Sequence, residues 1–438
     1  MSDVRVLERG QAVDGDVAVP GDKSLTHRAI LLGALAEGAS HIEGALDADD
    51  TRSSAAAARA VGAQVDWPAG GAATVVGRGA IGLQEPADVV DCGNSGTTLR
   101  LLMGIASGIP DGLTVLTGDR SLRGRPMRRV VEPLRQLGAD AWTRAGGSPP
   151  VAVRGGRVRG GRVQTGVPSA QVKSALLLAG LLGHGPVTVT EELATRDHTE
   201  RMLALMGAAI QRDGLVSTVQ PGPLAPLTYR IPADPSAAAM WWVLAALTGG
   251  RISTRGVLLN PARAGVLEVL RQAGALVEVE LEQQVPEPVG RVVVTGAGPL
   301  RSIRLTPAAV PGLVDEVPLV ALLATQARGT SHLEGLSELR VKETDRLHAV
   351  AVGLTALGAH VAEHADALVI EGPTRLRGTA LDSLGDHRLA FTWAIAASVA
   401  DGPITLAGAS AVSVSYPGFW DTLAETGGVV AHHGPSEE

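Results

Sequence analysis

The chain has 438 residues, 45% of them hydrophobic but only 2% aromatic, so two domains with cores of Ala, Val and Leu are expected. A net charge of −7 argues against nucleic acid or an anionic membrane as the main partner. The single cysteine, Cys92, excludes a disulfide framework and a multi-cysteine metal site.

Six times along the chain an apolar helical stretch runs into glycine and then a short strand-like stretch. Each unit also has an earlier helix that starts at a polar or Gly-rich turn. The first unit opens at Gly21-Asp22-Lys23-Ser24 and its second helix ends at Gly62. The next two open at Gly93-Asn94-Ser95-Gly96 and Pro168-Ser169-Ala170-Gln171, and close at Gly138 and Gly207. The last three open at Asp234-Pro235-Ser236, Val314-Asp315-Glu316 and Gly385-Asp386-His387-Arg388, and close at Gly274, Gly358 and Gly427. Glycine there ends a helix in a left-handed backbone without steric cost. A period of roughly 70 residues is too long for a solenoid, so each repeat is a small α/β unit. The six opening helices are apolar on all sides and should be buried, which leaves only their polar N-termini to meet ligand. Such N-termini favour an anion.

Short Pro-marked crossings at Val17–Gly21 and Tyr229–Ala233 divide six units into two domains, 22–232 and 1–21 plus 233–438, with an active-site cleft and hinge between them. The Gly- and Arg-rich stretch Arg154–Arg162 reads as a surface hairpin turning at Gly155-Gly156 and Gly160-Gly161. Cys92 lacks an activating base nearby and reads as a small buried hydrophobe. Arg125 is expected to begin a helix. No apolar run reaches membrane-spanning length, and Met1–Gln11 has no signal-peptide core. A cytoplasmic location is therefore expected.

Of the 38 basic residues only Lys23, Lys173 and Lys342 are lysines, against 35 arginines. A lysine surviving such a bias marks a place where a wide, permanently charged guanidinium would fail. On a helix, Ser24 and Arg28 are i,i+4 neighbours, as are Lys23 and His27, and Lys342 and Arg346 have the same spacing. Two cations around Glu343 suit an anionic substrate that also needs proton transfer.

These stretches together resemble one family, the 5-enolpyruvylshikimate-3-phosphate synthases, or 3-phosphoshikimate 1-carboxyvinyltransferases. The motifs are Pro-Gly-Asp-Lys-Ser at 20–24 with Arg28, Gly-Asn-Ser-Gly-Thr at 93–97, Arg-Pro-Met at 125–127 and Ser-Ala-Gln at 169–171. Thr-Arg-Asp-His-Thr-Glu at 195–200, Arg-Val-Lys-Glu-Thr-Asp-Arg at 340–346 and Asp-His-Arg at 386–388 follow in order. The resemblance implies two inside-out α/β barrel-like domains, each of three βαβαββ units. It implies shikimate 3-phosphate contacts at Lys23, Ser24, Arg28, Ser169, Gln171, Arg196 and Asp315, with Lys342 touching both substrates. Lys23, Gly96, Arg125, Arg346 and Arg388 fall on the phosphoenolpyruvate site. Asp315 and Glu343, helped by Lys23, are the implied acid–base groups. The enzyme so implied is a monomer with no cofactor and no metal.

Two details depart from or refine the resemblance. Many members carry a lysine ahead of the aromatic–proline pair, and Ser413-Val414-Ser415-Tyr416-Pro417 has none. Ser-Ala-Gln-x-Lys and Arg-x-His-x-Glu resemble the subgroup that contains glyphosate-tolerant enzymes, while Gly96 leaves room that an alanine would remove. Two rival enzymes fit less well. A transferase acting on UDP-N-acetylglucosamine has a loop cysteine, and Arg120–Pro126 has none. An RNA 3′-terminal phosphate cyclase-like enzyme would need a basic groove. A non-catalytic anion binder gives no reason for Glu343 and Asp315.

Because arginine is otherwise accepted almost everywhere, Lys23→Arg and Lys342→Arg are each expected to lose orders of magnitude in turnover although charge is kept. Near-wild-type steady-state rates in both variants would overturn the significance given to lysine scarcity.

Overall fold

The computed structural model describes residues 3–434; the outermost residues of the expected second domain, 1–2 and 435–438, lie outside them. Among the described residues the named strands form six four-stranded sheets. All six share one pairing scheme, a parallel pair at one edge followed by two antiparallel pairs. In the second repeat Val90–Asp91 runs parallel to Leu113–Thr117, which pairs antiparallel with Val151–Arg154, itself antiparallel to Asp140–Thr143. Helices Gly96–Ala106 and Arg128–Gln136 connect these strands. The expected βαβαββ unit is borne out.

The chain divides into two compact units, Gly21–Pro232 and the two flanks that end at Pro20 and resume at Ala233. Strand pairing explains why the chain leaves and returns. Within Gly21–Pro232, Thr228–Arg230 fills the parallel edge position beside Glu37–Glu43. In the flanking unit Asp14–Asp16 fills the same position beside Arg251–Leu258. Val4–Arg9 lies between Ile404–Ala407 and Val429–His433. Each unit therefore needs strands from both ends of its own sequence to complete its sheets.

The opening helices form where expected: Lys23–Leu35, Gly96–Ala106 and Ala170–Leu181 in the inner unit, and Pro235–Thr248, Val317–Thr325 and His387–Ala396 in the flanking unit. All but Val317–Thr325 start at a side-chain cap. Asp22 accepts from the Leu25 N–H at 2.7 Å, Ser95 from Thr98 at 3.2 Å and Asp386 from Arg388 at 2.8 Å. From Leu25 to Leu35 every residue is buried. The side of each helix that would face water elsewhere faces other apolar side chains here, at roughly 1.5–3 kcal/mol per large residue. The six closing glycines all adopt φ between 67° and 102°. Aromatic side chains, scarce overall, gather in the flanking unit, where Trp241 and Phe391 pack on Phe419 with ring centroids 5.6 and 4.8 Å away.

One local expectation fails. Arg154–Arg162 is not a hairpin, because Val151–Arg154 pairs with Leu113–Thr117 while Gly161–Gln164 pairs with Val187–Thr190 of another sheet. The segment is a connection between repeats, anchored by buried Val158, and the glycines bend it without closing a ladder. Among the described residues no helix is long and apolar enough to cross a membrane.

Helices Gly96–Ala106 and Ala170–Leu181 approach so closely that a Cβ on Gly104 would lie 2.2 Å from the Ala175 carbonyl oxygen. Gly104→Ala must push the helices apart and is expected to cost about 2 kcal/mol or more, seen as a lower Tm. Gly124→Ala, with no heavy atom within 4 Å of the added carbon, is expected to unfold within a degree or two of wild type. Equal melting of the two variants would contradict this close packing.

Candidate functional site

In the inner unit the polar N-terminus of Lys23–Leu35 carries the first group of cations. Lys23 Nζ contacts Asp50 Oδ2 at 2.9 Å, and one turn on His27 Nδ1 lies 2.8 Å from Ser54 Oγ. Asp50 and Ser54 are themselves i,i+4 on helix Asp49–Ala60, so two helical pairs face each other. Arg28 projects differently. Its Nε and Nη2 donate to Thr199 Oγ1 and Ser174 Oγ at 2.8 and 3.0 Å, and its Nη1 to the Ser24 carbonyl at 3.0 Å. Burial, with Lys23 and Arg28 close by, holds the His27 imidazole well below its ordinary range. It is a neutral spacer between two cations.

The second turn places Gly96 between two arginines, since a Cβ there would lie 3.1 Å from both Arg100 Nη1 and Arg125 Nη1. Arg125 Nη2 donates to Asn94 Oδ1 at 2.7 Å. Gln171 accepts from Arg100 Nη1 and donates to Thr97 Oγ1 at 2.8 Å. Ser169 caps helix Ala170–Leu181. Arg196 is half-buried in the loop before His198–Leu205.

The flanking unit gathers its carboxylates on one guanidinium. Arg346, 1% exposed, contacts Asp386 Oδ2 at 2.9 Å, Glu343 Oε2 at 2.5 Å and Asp315 Oδ1 at 3.5 Å. Burial works against its charge, but Asp386, Glu343 and Asp315 together raise its proton affinity above that of ordinary arginine. Lys342 Nζ reaches the same Asp315 oxygen at 3.2 Å. Arg388 is 7% exposed, and no hydrogen bond or ion pair of its guanidinium is found among the described residues. A buried cation without a carboxylate is a place for an anionic ligand.

Within each unit the predicted residues thus come together: Lys23, Ser24 and Arg28 on one helix start, Gly96 beside Arg125, and Asp315, Lys342, Glu343 and Arg346 in one cluster. Two local assumptions are corrected. Lys342 and Arg346 do not share a helix face, because the helix begins at Arg346 with Asp345 as its cap. Asp315 joins them instead. Arg125 precedes the helix, which starts at Arg128. The adjacent Glu316 is a structural acid, buried against Arg263 and Ser236. Cys92 is buried and its thiol is pushed up to about 12 by burial and Asp91, which fits an inert side chain. Sequence reasoning missed Arg100 and Asp50. The signal for Arg100 was a lone charge inside the apolar helix, one turn after Gly96.

Comparison with known proteins points to one family. The family model described as EPSP synthase (3-phosphoshikimate 1-carboxyvinyltransferase) matches residues 7–423. A relative named 3-phosphoshikimate 1-carboxyvinyltransferase from Roseiflexus sp. (strain RS-1) is 50% identical over 417 residues, 94% of this chain and 96% of its own. One of the same name from Synechococcus sp. (strain CC9605) is 48% identical, covering 96% and 97%. A solved EPSP synthase from Acinetobacter baumannii superposes with a TM-score of 0.86 at 37% identity, covering 98% and 99%. The enolpyruvyl transferase NikO from Streptomyces tendae, 19% identical with a TM-score of 0.79 over 99% and 100% of the two chains, shares the fold.

His27 gives a pH signature. The unfolded histidine takes up a proton near pH 6.5, whereas the folded one resists it. Stability from this group is therefore complete above pH 6.5 and is lost as pH falls below it, by at most about 1.4 kcal/mol per pH unit. Denaturant titrations at pH 7.5 and 5.5 should show a smaller acid loss in His27→Asn, whose amide can still meet Ser54. An identical loss in the variant would show that His27 titrates normally.

Proposed function

The chain belongs to the EPSP synthase (3-phosphoshikimate 1-carboxyvinyltransferase) family, and from that premise we propose how its side chains perform the reaction. The enzyme is a transferase of the shikimate pathway that moves the enolpyruvyl group of phosphoenolpyruvate to the 5-hydroxyl of shikimate 3-phosphate and releases phosphate. Among the side chains, the observation that carries this assignment is the Arg346 cluster, where Asp315, Glu343 and Asp386 meet one buried guanidinium and Asp386 lies two residues before the partnerless Arg388.

Phosphoenolpyruvate is met by Lys23, the Gly96 turn, Arg125 and Arg388. Gly96 lets the ligand approach the backbone between the Arg100 and Arg125 guanidiniums. Arg346 acts there chiefly by holding Asp315 and Glu343. Shikimate 3-phosphate is met by Lys23, Ser24, Arg28, Ser169, Gln171, Arg196 and Asp315, with Lys342 reaching both substrates. Asp315 and Glu343 together manage the protons: C3 of phosphoenolpyruvate gains one as the 5-hydroxyl, losing its own, attacks C2. The tetrahedral ketal phosphate then loses a C3 proton and expels phosphate, so the hydroxyl proton leaves with the phosphate. Lys23, which contacts Asp50, steadies the departing phosphate. We place this activity in the cytoplasm and in a monomer.

Phosphate release from phosphoenolpyruvate should require shikimate 3-phosphate. Release with UDP-N-acetylglucosamine instead would assign the chain to the sister reaction, and release with neither would point to simple hydrolysis.

Glu343→Gln is expected to bind shikimate 3-phosphate almost normally and to lose about 100-fold or more in kcat. The amide oxygen can still accept from Arg346, but the side chain no longer exchanges a proton at catalytic pH. Calorimetric titration beside the phosphate assay separates these effects; affinity and turnover both near wild type would remove Glu343 from the chemistry.

A further inference from the structure

Lys173 is the one lysine that the reaction above leaves without a task. Its ammonium is fully buried, 2.8 Å from Glu191 Oε2 and 2.7 Å from Glu200 Oε1. Both carboxylates are buried too. Thr195 Oγ1 donates to Glu191, and Ser217 Oγ donates to Glu200 Oε1 at 3.3 Å. The ammonium thus ties helix Ala170–Leu181, which carries it, to helix His198–Leu205, which carries Glu200.

The residues next in line hold Arg28. Ser174 follows Lys173, and Thr199 precedes Glu200. Ser174 Oγ donates to the Ala170 carbonyl at 2.6 Å and lies 2.6 Å from Thr199 Oγ1. With Ser174 thus committed, Thr199 donates to Ser174. Both hydroxyl oxygens then offer lone pairs to Arg28, which donates to them at 2.8 and 3.0 Å. The acceptors for one guanidinium come from two helices, so their spacing depends on what locks those helices together.

We propose that Lys173 is a positioning residue for the transfer reaction: clamped between Glu191 and Glu200, it fixes the two helices from which Ser174 and Thr199 aim Arg28 at shikimate 3-phosphate. This rests on Arg28 being a shikimate 3-phosphate contact. It also explains why lysine survives here. One nitrogen directs separate protons at two buried carboxylates, whereas a planar guanidinium would have to spread them apart. The carboxylates, being buried, cannot retreat into water. The motifs Ser169-Ala170-Gln171-Val172-Lys173 and Arg196-Asp197-His198-Thr199-Glu200 then belong together, because each supplies one end of the same ion pair.

The test measures KM for each substrate, kcat, and calorimetric affinity for shikimate 3-phosphate in Lys173→Arg, Glu200→Gln and Arg28→Ala, with Tm as a check on folding. Lys173→Arg should raise KM and Kd for shikimate 3-phosphate tenfold or more, and change KM for phosphoenolpyruvate less than threefold. Glu200→Gln keeps the side chain's shape and should give a smaller shift of the same selectivity; it decides alone if Lys173→Arg does not fold. If Arg28→Ala loses shikimate 3-phosphate while both other variants stay within twofold of wild type, even with a lowered Tm, the positioning role is wrong and Arg28 keeps its place. If Arg28→Ala binds normally, the contact assigned to Arg28 and the role of Lys173 fall together.

Discussion

A helix without a polar face can be stable in water only if it is wrapped on every side, and six such helices dictate the rest of this molecule. Sheets and second helices enclose Lys23–Leu35 and its five counterparts, leaving only the ends of these helices free of apolar packing. The C-terminal ends lead into connecting strands. The N-terminal ends carry Asp22, Ser95, Ser169, Asp234 and Asp386 as caps, and cations such as Lys23 and Arg388 immediately after them. Packing therefore leaves the polar N-terminal ends of these helices open to chemistry. The positive end of each helix dipole adds to the same preference for anions.

Cations crowded at such positions would repel one another, and the two units handle this differently. In the inner unit several helix-start cations have neutral groups among their partners: Arg28 hydroxyls and a carbonyl, Arg125 Asn94, Arg100 Gln171. Lys23 meets a carboxylate there, Asp50. Hydroxyl and amide partners orient a guanidinium without neutralising it. In the flanking unit Arg346 is instead surrounded by three carboxylates. A guanidinium so committed has little attraction left for a ligand, but it holds Asp315 and Glu343 in fixed orientation.

Much of this was legible beforehand, and the failures have one cause. Helix starts and the six left-handed glycines follow from local backbone chemistry, so polar clusters before apolar runs located them well. The sheets followed from the period of those signals. Arg154–Arg162 misled because paired glycines signal a bend without saying which strands lie on either side, and here the partners belong to different sheets. The i,i+4 link between Lys342 and Arg346 assumed a helix that starts four residues later. What joins them is Asp315, distant in sequence, which no local pattern could reveal. Arg100 was hidden for the opposite reason: the apolar helix around it made a single arginine look incidental.

The three lysines sort by their surroundings. Lys23 and Lys342 keep 16% and 27% of their side chains exposed and contact Asp50 and Asp315. A flexible, partly exposed stem can swing a compact charge onto an anion and back, which a wider guanidinium held by several acceptors does less readily. Lys173 has no exposure and two carboxylates, so the same compactness serves rigidity instead. Scarcity of lysine is therefore not a mark of catalysis by itself. It marks places where charge must be concentrated at one atom, and burial decides whether that atom meets ligand or holds the scaffold.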